Sequence, residues 1–345
     1  SSPFISSNFK KGVTHMKKAK YYGSIDVDEN YFNIALIKTV GEELLHFKCQ
    51  SNVSAMIKKI KQENINLKDI QLCYEATYLG YSLYHDLKAK GIKCEVIAPS
   101  LIPKTPGKKI KTDRLDCIKL AQYYLKGMLT PVHVPDEEDE TVRDLIRSRK
   151  LLVDQVKKIK THIISLSKRM GLDYRKQRGV PNVAYWTGIH YQWLEKQINQ
   201  LPENSPLRLN LSGLLSACNN VEIFISSYDE QISSIAQRPK YKDKVKALNC
   251  FRGFKDLSSL TLVTELGDIR RFPHPSKVAA YSGLSIREYT SGGKELRFGI
   301  TKQGNRILRT VVVEACQFSF KPPGVSKDLK ERRKGADPEY INIAD

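Results

Sequence analysis

The order of strand-like and helical segments between residues 20 and 125 constrains the fold of this chain more than any other feature. Three strand-like runs, KYYGSIDV, YFNIALIKT and ELLHFKC, follow one another across short polar breaks, which predicts an antiparallel meander. A helical stretch from Val53 to Gln62 then leads into a fourth strand, IQLCYEA. A second helix, YSLYHDLKAK, ends at Gly91, and a fifth strand, KCEVIAP, precedes a third helix that starts at Asp113.

Written as element types, this order is β-β-β-α-β-α-β-α. It predicts an α/β domain of the ribonuclease H-like class, in which helices flank a mixed sheet. The acidic stretch PDEEDE marks its end, so we assign the domain to residues 16–134. Residues 1–15 are turn-rich, lack periodicity and precede Met16. We expect them to be foreign to the natural chain, which we expect to start at Met16.

Residues 135–245 predict a region of long helices. Two amphipathic patterns, TVRDLIRSRKLLVDQVKKIKTHIISLSKRMG and LLSACNNVEIFISSYDEQISSIAQ, flank a looser patch over residues 173–197. Two such helices form either an antiparallel or intermolecular coiled coil, or an ordinary helical hairpin inside one subunit. The sequence leaves both arrangements open.

Residues 246–325 predict a small, mainly α-helical domain. It opens with a glycine-containing turn and an apolar helix, similar to half of a helix-hairpin-helix module that holds a phosphate backbone. A loop or hairpin rich in Gly, Ser, Lys and Arg follows, and then a helix whose first turn carries Asn305, Arg306 and Arg309. Residues 326–345 form a tail that stops inside an amphipathic helical pattern, so we expect the chain to be truncated there.

The net charge points to a polyanionic partner. Lys and Arg number 57 against 37 acidic residues, which gives a charge of +20, and the basic residues are spread over the whole chain. Nucleic acid is the commonest partner of such a protein.

Cysteine usage and hydropathy exclude several other classes. The seven cysteines are scattered and form no CxxC pair, which argues against a zinc ribbon or a disulfide framework and favours a reducing, cytoplasmic protein. No apolar run reaches the length of a membrane span, and no signal peptide is visible, so we expect no membrane partner.

Four carboxylates occupy positions that suit one active site. Asp26 lies in the first strand, Glu75 ends the fourth, and Asp113 and Asp116 are three residues apart at the start of the third helix, where they share a face. An alternative for the last pair is helix capping, because Asp is a favoured N-cap and an acid three residues later resembles a capping box.

A carboxylate cluster of this kind predicts a hard metal ion. Two carboxylates about 4 Å apart repel by about 4 kcal/mol at an effective dielectric of 20, so four together need a cation between them. Oxygen ligands select Mg²⁺ or Mn²⁺, and a pair of such ions can support phosphoryl transfer.

Two separated sets of motifs resemble the DEDD transposases of insertion-sequence family 110 and the related Piv-type DNA invertases. The N-terminal set is GSIDV, YEAT-x-x-G and KTDRLDCIKLA, and the C-terminal set is LVTELGDIRRF, AAYSGL, TSGG and ITKQGNRILR. The resemblance extends from Met16 to about Gly324.

The resemblance implies a RuvC-like domain that binds Mg²⁺ through Asp26, Glu75, Asp113 and Asp116, and a C-terminal transposase domain whose serine nucleophile is Ser291. It also implies a structured non-coding guide RNA that selects double-stranded donor and target DNA. The expected protein is a prokaryotic, nucleoid-associated, RNA-guided transposase or recombinase. We expect a homodimer or tetramer assembled partly through the long helices, because joining two duplexes needs at least two active sites.

The local sequence suits a serine nucleophile. Ser291 precedes two glycines, so its hydroxyl can approach a phosphate with little hindrance and form a covalent phosphoserine link to DNA. Ser282 and Ser285 are rivals that miss the Ser-Gly position of the family motif. The side chains predicted to hold the nucleic acid are Lys108, Lys109, Lys111, Arg114, Arg297, Lys302, Asn305, Arg306 and Arg309.

Three other functions remain as alternatives. A Piv-like site-specific invertase would use the same residues. A RuvC-like Holliday-junction nuclease would cut without a covalent serine step. A nucleic-acid-binding protein without catalysis is the third alternative, and the intact set of four carboxylates argues against it.

Overall fold

A computed structural model describes residues 19–103, 112–178, 183–291, 294–320, 322 and 324–345, with the backbone alone for Ser291 and Ser319. The chain divides into two compact units, Ser1–Val134 and Pro135–Asp345. Residues 1–15, predicted to be foreign to the natural chain, lie outside the described residues.

The first unit contains a five-stranded mixed sheet. Its strands are β1 (Tyr21–Val27), β2 (Tyr31–Lys38), β3 (Leu44–Gln50), β4 (Ile70–Glu75) and β5 (Lys93–Ile97). The strand order is β3-β2-β1-β4-β5. The first three strands form the predicted antiparallel meander, whereas β4 runs parallel to both β1 and β5.

Helices cover both faces of this sheet, which is why its central strands are buried on both sides. The helices are α1 (Val53–Gln62), α2 (Ser82–Ala89) and α3 (Asp113–Leu125). Ile25 and Tyr74 join the core beneath α1 and α2, while Tyr22 and Cys73 pack with residues of α3 on the opposite face. The alternation along β1 therefore assigns Tyr22, Ser24 and Asp26 to the α3 side.

The second unit is built on two long antiparallel helices, α4 (Glu137–Arg169) and α7 (Pro206–Ala236). Ion pairs link them along their length, with 2.6 Å between Arg149 and Asp229 and 2.5 Å between Lys160 and Glu222. Within this chain the two helices form an antiparallel helical hairpin, while association between chains through them stays a prediction.

The acidic stretch at the start of this unit begins the helix α4. The Asp136 side chain caps the helix by accepting from the Asp139 N–H at 2.8 Å. The acidic residues of the first turn also suit the positive end of the helix dipole. A stretch that reads as a boundary in the sequence is therefore the first turn of the longest helix described.

The tip of the hairpin, where α4 ends and α7 begins, carries two further helices, α5 (Tyr174–Arg178) and α6 (Gly188–Gln200). Aromatic rings pack there in a cluster around His190, which is 1% exposed. The sequence predicted only a looser patch here. Aromatic packing, rather than helical periodicity, organises the segment.

The remaining elements follow α7 in the chain, and the helix Asp256–Leu266 is the one that packs against α4 among the described contacts. They are α8 (Lys242–Asn249), α9 (Asp256–Leu266), α10 (Pro275–Tyr281), β6 (Ile286–Ser291), β7 (Lys294–Ile300), α11 (Arg306–Cys316), α12 (Lys327–Arg333) and α13 (Pro338–Ala344). The predicted glycine-containing turn and apolar helix correspond to the α8–α9 connection and α9. The segment predicted as a tail packs against α8 through buried Leu329 and Arg333, and Arg333 donates to the Cys250 carbonyl at 3.0 Å.

Short 3₁₀ turns complete the described chain at Leu67–Asp69, Pro99–Leu101, Ile269–Arg271 and Gln317–Phe320. None of the helices in the described ranges is both long enough and apolar enough to span a bilayer.

Candidate active site

The first carboxylate lies on the β1 face that α3 covers. Ser24, two residues earlier on the same face, is fully buried and donates its hydroxyl to the Cys117 carbonyl of α3 at 2.6 Å. Asp26 is the next residue on that face and is partly buried. The strand therefore brings Asp26 to the edge of the buried contact with α3.

The sheet register places two polar residues beside Asp26. In the parallel pair, Ile25 is opposite Tyr74, so Asp26 and Glu75 are the next residues on neighbouring strands. Glu75 is exposed. On the other side Asp26 is paired with Asn33 of β2, whose side chain hydrogen-bonds to the carboxylate.

The last two carboxylates come from the first turn of α3. Thr112 caps this helix, since its hydroxyl accepts from the Leu115 N–H at 3.3 Å. Asp113 is therefore the first helical residue rather than the cap, and the capping interpretation does not account for it. Asp113 lies four residues before the buried Cys117, and Asp116 lies four residues before the buried Leu120, so both carboxylates extend the sheet-facing side of α3 by one turn.

Three of the four carboxylates share one electrostatic environment. Burial raises the pKa of Asp26, and the negative charges of Asp113 and then Asp116 raise it further, against the hydrogen bond from Asn33. A cation placed among these groups would relieve both the desolvation and the repulsion. This is the behaviour of an anionic pocket rather than of a surface acid.

The donor atoms suit a hard divalent cation, because all are carboxylate oxygens. Across the residues that the structure describes, however, no three or more His, Cys, Asp or Glu side chains are arranged so that they could hold a metal ion together. The acids are brought to one edge of the sheet without forming a finished ligand set.

Sequence reasoning missed the contacts that hold this edge together. Cys117 lies within 3.3 Å of the Ser24 hydroxyl and donates its thiol to the Asn33 carbonyl at 3.1 Å, which ties α3 to β1 and β2. Burial raises the pKa of the Cys117 thiol. Asn33 gave a signal that could have been used, because it is a polar residue in the middle of the apolar run YFNIALIK.

The predicted nucleophile, Ser291, is the last residue of β6 and is paired with Lys294 of β7. The Ser291 side chain and the following glycines, 292 and 293, lie outside the described residues. The rival Ser282 is buried and donates its hydroxyl to the Val278 carbonyl at 2.9 Å. That hydroxyl therefore makes a local contact within the fold, and the choice of Ser291 over Ser282 stays a prediction.

The predicted phosphate-binding residues fall into different groups. Lys108, Lys109 and Lys111 lie outside the described residues, whereas Arg114 is exposed on α3. Burial lowers the pKa of His46, and the charge of Arg114 lowers it further. Arg297, Lys302 and Arg306 are also exposed, and Arg297 lies 3.6 Å from Glu295.

Asn305 and Arg309 have structural contacts instead. Asn305 caps α11 by accepting from the Leu308 N–H at 3.0 Å and donates to the Glu265 carboxylate at 2.6 Å. Arg309 donates to the Ser282 carbonyl at 2.8 Å. Both contacts fix α11 against its neighbours. The Arg309 contact uses one of its guanidinium nitrogens, and binding of phosphate by these two residues stays a prediction.

Glu265 is a second feature that sequence reasoning did not identify. It is 2% exposed, and its carboxylate lies 2.9 Å from Arg147 and 3.9 Å from Arg143 of α4. With the bond from Asn305, this glutamate joins the long helix to the start of α11. It anchors the segment that follows the β6–β7 hairpin.

Two family models match the chain in succession. A model of the DEDD transposases of IS110 type matches residues 24–170. A model described as the transposase IS116/IS110/IS902 family matches residues 245–326. The first match contains all four carboxylates, and the second contains Ser291.

Individual relatives align over nearly all of this chain. A putative transposase of Sinorhizobium fredii, y4qE, is 31% identical over 98% of this chain and 79% of its own length. The transposase for insertion sequence element IS1533 of Leptospira borgpetersenii is 30% identical over 95% of this chain and 93% of its own. The transposase for insertion sequence element IS1111A of Coxiella burnetii is 23% identical over 90% and 80%. Similarity of this extent, in the same order as the two family models, shows that the chain belongs to the IS110 family of transposases, enzymes that cleave and recombine DNA.

Proposed function

We propose that this transposase is an RNA-guided recombinase that cleaves and rejoins strands of donor and target DNA. It uses a Mg²⁺ (or Mn²⁺) site formed by Asp26, Glu75, Asp113 and Asp116, and the serine nucleophile Ser291. The observation that carries the proposal is the placement of the acids: Asp26 and Glu75 follow paired residues on neighbouring parallel strands, and the first turn of α3 supplies Asp113 and Asp116. The raised pKa of Asp26, caused by burial and then by the charges of these two aspartates, is consistent with that placement. Such a cluster is costly unless it binds a cation.

We assign the first unit to the ribonuclease H-like, RuvC-like class. Its strand order, with an antiparallel meander and then two parallel strands, supports the assignment, as does the packing of helices on both faces. The remaining proposed regions are a helical linker over residues 135–245 and a serine transposase domain over residues 246–325.

In the proposed reaction the Ser291 hydroxyl attacks the phosphorus of a phosphodiester. The new bond joins the serine oxygen to phosphorus, the bond to one sugar oxygen breaks, and the serine proton passes to a base while the sugar leaves as a hydroxyl. Attack of a sugar hydroxyl on the phosphoserine reverses these steps and rejoins a strand. The energy of the phosphodiester is conserved in the covalent link, so rejoining needs no nucleotide cofactor.

The carboxylates would hold the cation, with Asp26 and Glu75 contributed by the sheet and Asp113 and Asp116 by α3. When bound, Mg²⁺ would polarise a phosphoryl oxygen and lower the pKa of a coordinated hydroxyl. The exposed Arg297, Lys302 and Arg306 are proposed to hold phosphate oxygens through charge-assisted hydrogen bonds.

The test is to trap the covalent protein–DNA adduct with a substrate that carries the element's ends. We expect the adduct in the wild type and in Ser285→Ala, and its loss in Ser291→Ala. We also expect its loss in Asp26→Asn, with Asp86→Asn, an exposed acid on α2, as the matched control.

Each other result has a defined meaning. An adduct that survives Ser291→Ala but is lost in Ser285→Ala overturns the assignment of the nucleophile. Strand cleavage by the wild type without any adduct favours a junction nuclease. Full activity of Asp26→Asn contradicts the carboxylate site.

A further inference from the structure

We propose that the tip of the long hairpin carries a binding surface for the backbone of duplex DNA outside the cleaved site. This surface, the basic stripe, consists of six exposed cations on α4 and α5: Lys157, Lys158, Lys168, Arg169, Lys176 and Arg178. The inference does not depend on the assignment of Ser291 or of the metal site.

The charge of this segment is strongly one-sided. Residues 157–178 contain eight Lys and Arg residues and a single acid, Asp173, which gives a net charge of +7. The whole chain carries +20. A segment of 22 residues therefore holds about a third of the net charge, which is the electrostatic footprint of a nucleic-acid contact.

Helical geometry aligns these charges. Lys157 and Lys168 are eleven residues apart, as are Lys158 and Arg169, which is close to three turns of an α-helix and about 16 Å along its axis. The same face carries exposed hydrogen-bonding side chains between them: Thr161, His162 and Ser165. The buried residues of this part of α4, Val156, Ile163 and Leu166, lie on the other face.

The stripe differs from the neighbouring cations because its residues form no described ion pair of their own. Lys157 and Lys158 only add to the Lys150 hydrogen bond in lowering the pKa of Asp154. Lys150 is paired with Asp154 at 2.5 Å and Lys160 with Glu222 at 2.5 Å. Among the described ion pairs, none involves a residue of the basic stripe. Exposed cations on one helix face repel one another, so an unpaired row favours a polyanion that releases its own counterions on binding.

The tip holds the stripe in place before DNA arrives. The guanidinium of Arg175 stacks on Tyr185 at 4.6 Å and donates to the Val183 carbonyl at 3.2 Å. The Trp193 ring nitrogen donates to the Gln177 side chain at 2.8 Å. These contacts fix α5, so Lys176 and Arg178 lose little backbone freedom when they bind.

The length of the basic stripe suits duplex DNA, and its position along α4 is far from the residue that contacts the C-terminal segment. A duplex has one phosphate charge per about 1.7 Å of axis, so a stripe about 16 Å long faces several phosphates. Lys168 is 21 residues along α4 from Arg147, the residue that binds Glu265 beside α11. That separation is about 30 Å. Because the contacts are charges and hydroxyls on a regular helix, we expect no sequence preference.

The test compares two fourfold variants of the full chain with equal net charge. One is Lys157→Gln/Lys158→Gln/Lys168→Gln/Arg169→Gln. The matched control is Lys58→Gln/Lys59→Gln/Lys61→Gln/Lys88→Gln, which removes four exposed lysines of α1 and α2. Affinity for a 40-base-pair duplex of random sequence is measured between about 50 and 200 mM salt, where the phosphate term dominates.

We expect the stripe variant to lose at least tenfold in affinity at low salt, and the slope of log K against log salt to fall by about 3 to 4. The control should change little, and both variants should keep the wild-type melting temperature. Equal losses in both variants, or no loss in the stripe variant, would overturn the proposal. The proposal would also be overturned if, in a parallel measurement, the stripe variant lost affinity for duplex RNA but kept its affinity for duplex DNA. Adduct formation on a short substrate reports separately on the catalytic site.

Discussion

At the residue scale, Asp26 determines the properties of the proposed site because it sits where a strand stops being apolar. Its neighbours on the same face, Tyr22 and Ser24, are buried, yet the next position carries a charge. Burial and the adjacent aspartates both disfavour that charge. A charge in such a place lowers stability, which is the pattern typical of functional residues and supports the proposed role of Asp26.

Replacement of this aspartate should therefore stabilise the metal-free protein. The pKa of Asp26 is raised above its ordinary value of 3.8, so the folded state binds the proton more tightly than the unfolded state. Wild-type stability should fall as the pH rises from 3.8 through the folded pKa, and Asp26→Asn should not show this loss. At pH 7 we expect the melting temperature of Asp26→Asn to be higher by about 2 °C, since partial exposure screens the effect.

Magnesium provides the control for this measurement. Binding to the folded wild type should raise its melting temperature, and the Asn variant should respond much less because one ligand is neutral. A destabilised Asp26→Asn protein, or equal Mg²⁺ responses in the two proteins, would contradict the proposed role of Asp26.

Spacing alone selects the carboxylates, but it does not reveal their environment. Strand alternation and the three-residue interval suffice to nominate Asp26, Asp113 and Asp116, and the structure places them in one electrostatic field. The partners Asn33 and Cys117 depend on which strand lies beside β1 and in which register. Those long-range pairings are not encoded in local periodicity, so the sequence could not supply them.

At the element scale, the order of strands and helices in the first unit follows from the sequence, whereas the tip does not. In the meander each strand carries its own apolar pattern, and the short breaks force neighbouring strands together. In the tip, Tyr174, Trp186 and Trp193 are spaced irregularly and pack around His190. Burial among these rings lowers the pKa of His190 to about 4, so the ring is neutral and acts as part of the core.

The turn between α8 and α9 offers a test of an element junction. Gly253 has a φ of +80°, and a Cβ built there would lie 2.8 Å from the Cα and the carbonyl oxygen of Ala315 in α11. Gly253→Ala should therefore lower the free energy of unfolding by about 2–3 kcal/mol, through both backbone strain and a backbone clash. Chemical denaturation of the purified variant measures this directly.

At a second glycine, Gly213, we expect replacement by Ala to stabilise the protein instead. Gly213 lies inside α7, and a Cβ there meets nothing within 4 Å. Gly213→Ala should raise the free energy of unfolding by about 0.5–1 kcal/mol, because Ala is the better helix former. If both substitutions changed the free energy of unfolding in the same direction and by the same amount, the close contact between the α8–α9 turn and α11 would be contradicted.

At the scale of the whole molecule, the two family models leave residues 171–244 between them. That interval contains the whole of α5, α6 and α7, and with them most of the aromatic tip. Catalytic candidates thus lie in the matched regions, while the basic stripe begins in the first of them and continues into the interval. We infer that the hairpin positions DNA for chemistry carried out elsewhere in the chain.

The guide RNA is the part of the proposed function that belongs to no single element. A chain with a net charge of +20 attracts polyanions in general, so charge alone cannot separate a specific RNA partner from bulk nucleic acid. A genetic experiment can distinguish the two. If a specific RNA is the partner, recombination in cells should require the non-coding DNA that flanks the coding sequence in the complete element. Protein purified from such cells at about 0.5 M salt should retain one discrete RNA that nuclease treatment removes, since high salt weakens non-specific contacts.

The control is protein expressed without the flanking DNA, which should carry no discrete RNA and should not recombine unless that RNA is supplied. Recombination of equal efficiency with and without the flanks would instead assign sequence choice to the protein itself. The chain would then act as a site-specific invertase, and the same carboxylates and serine would serve a fixed DNA site.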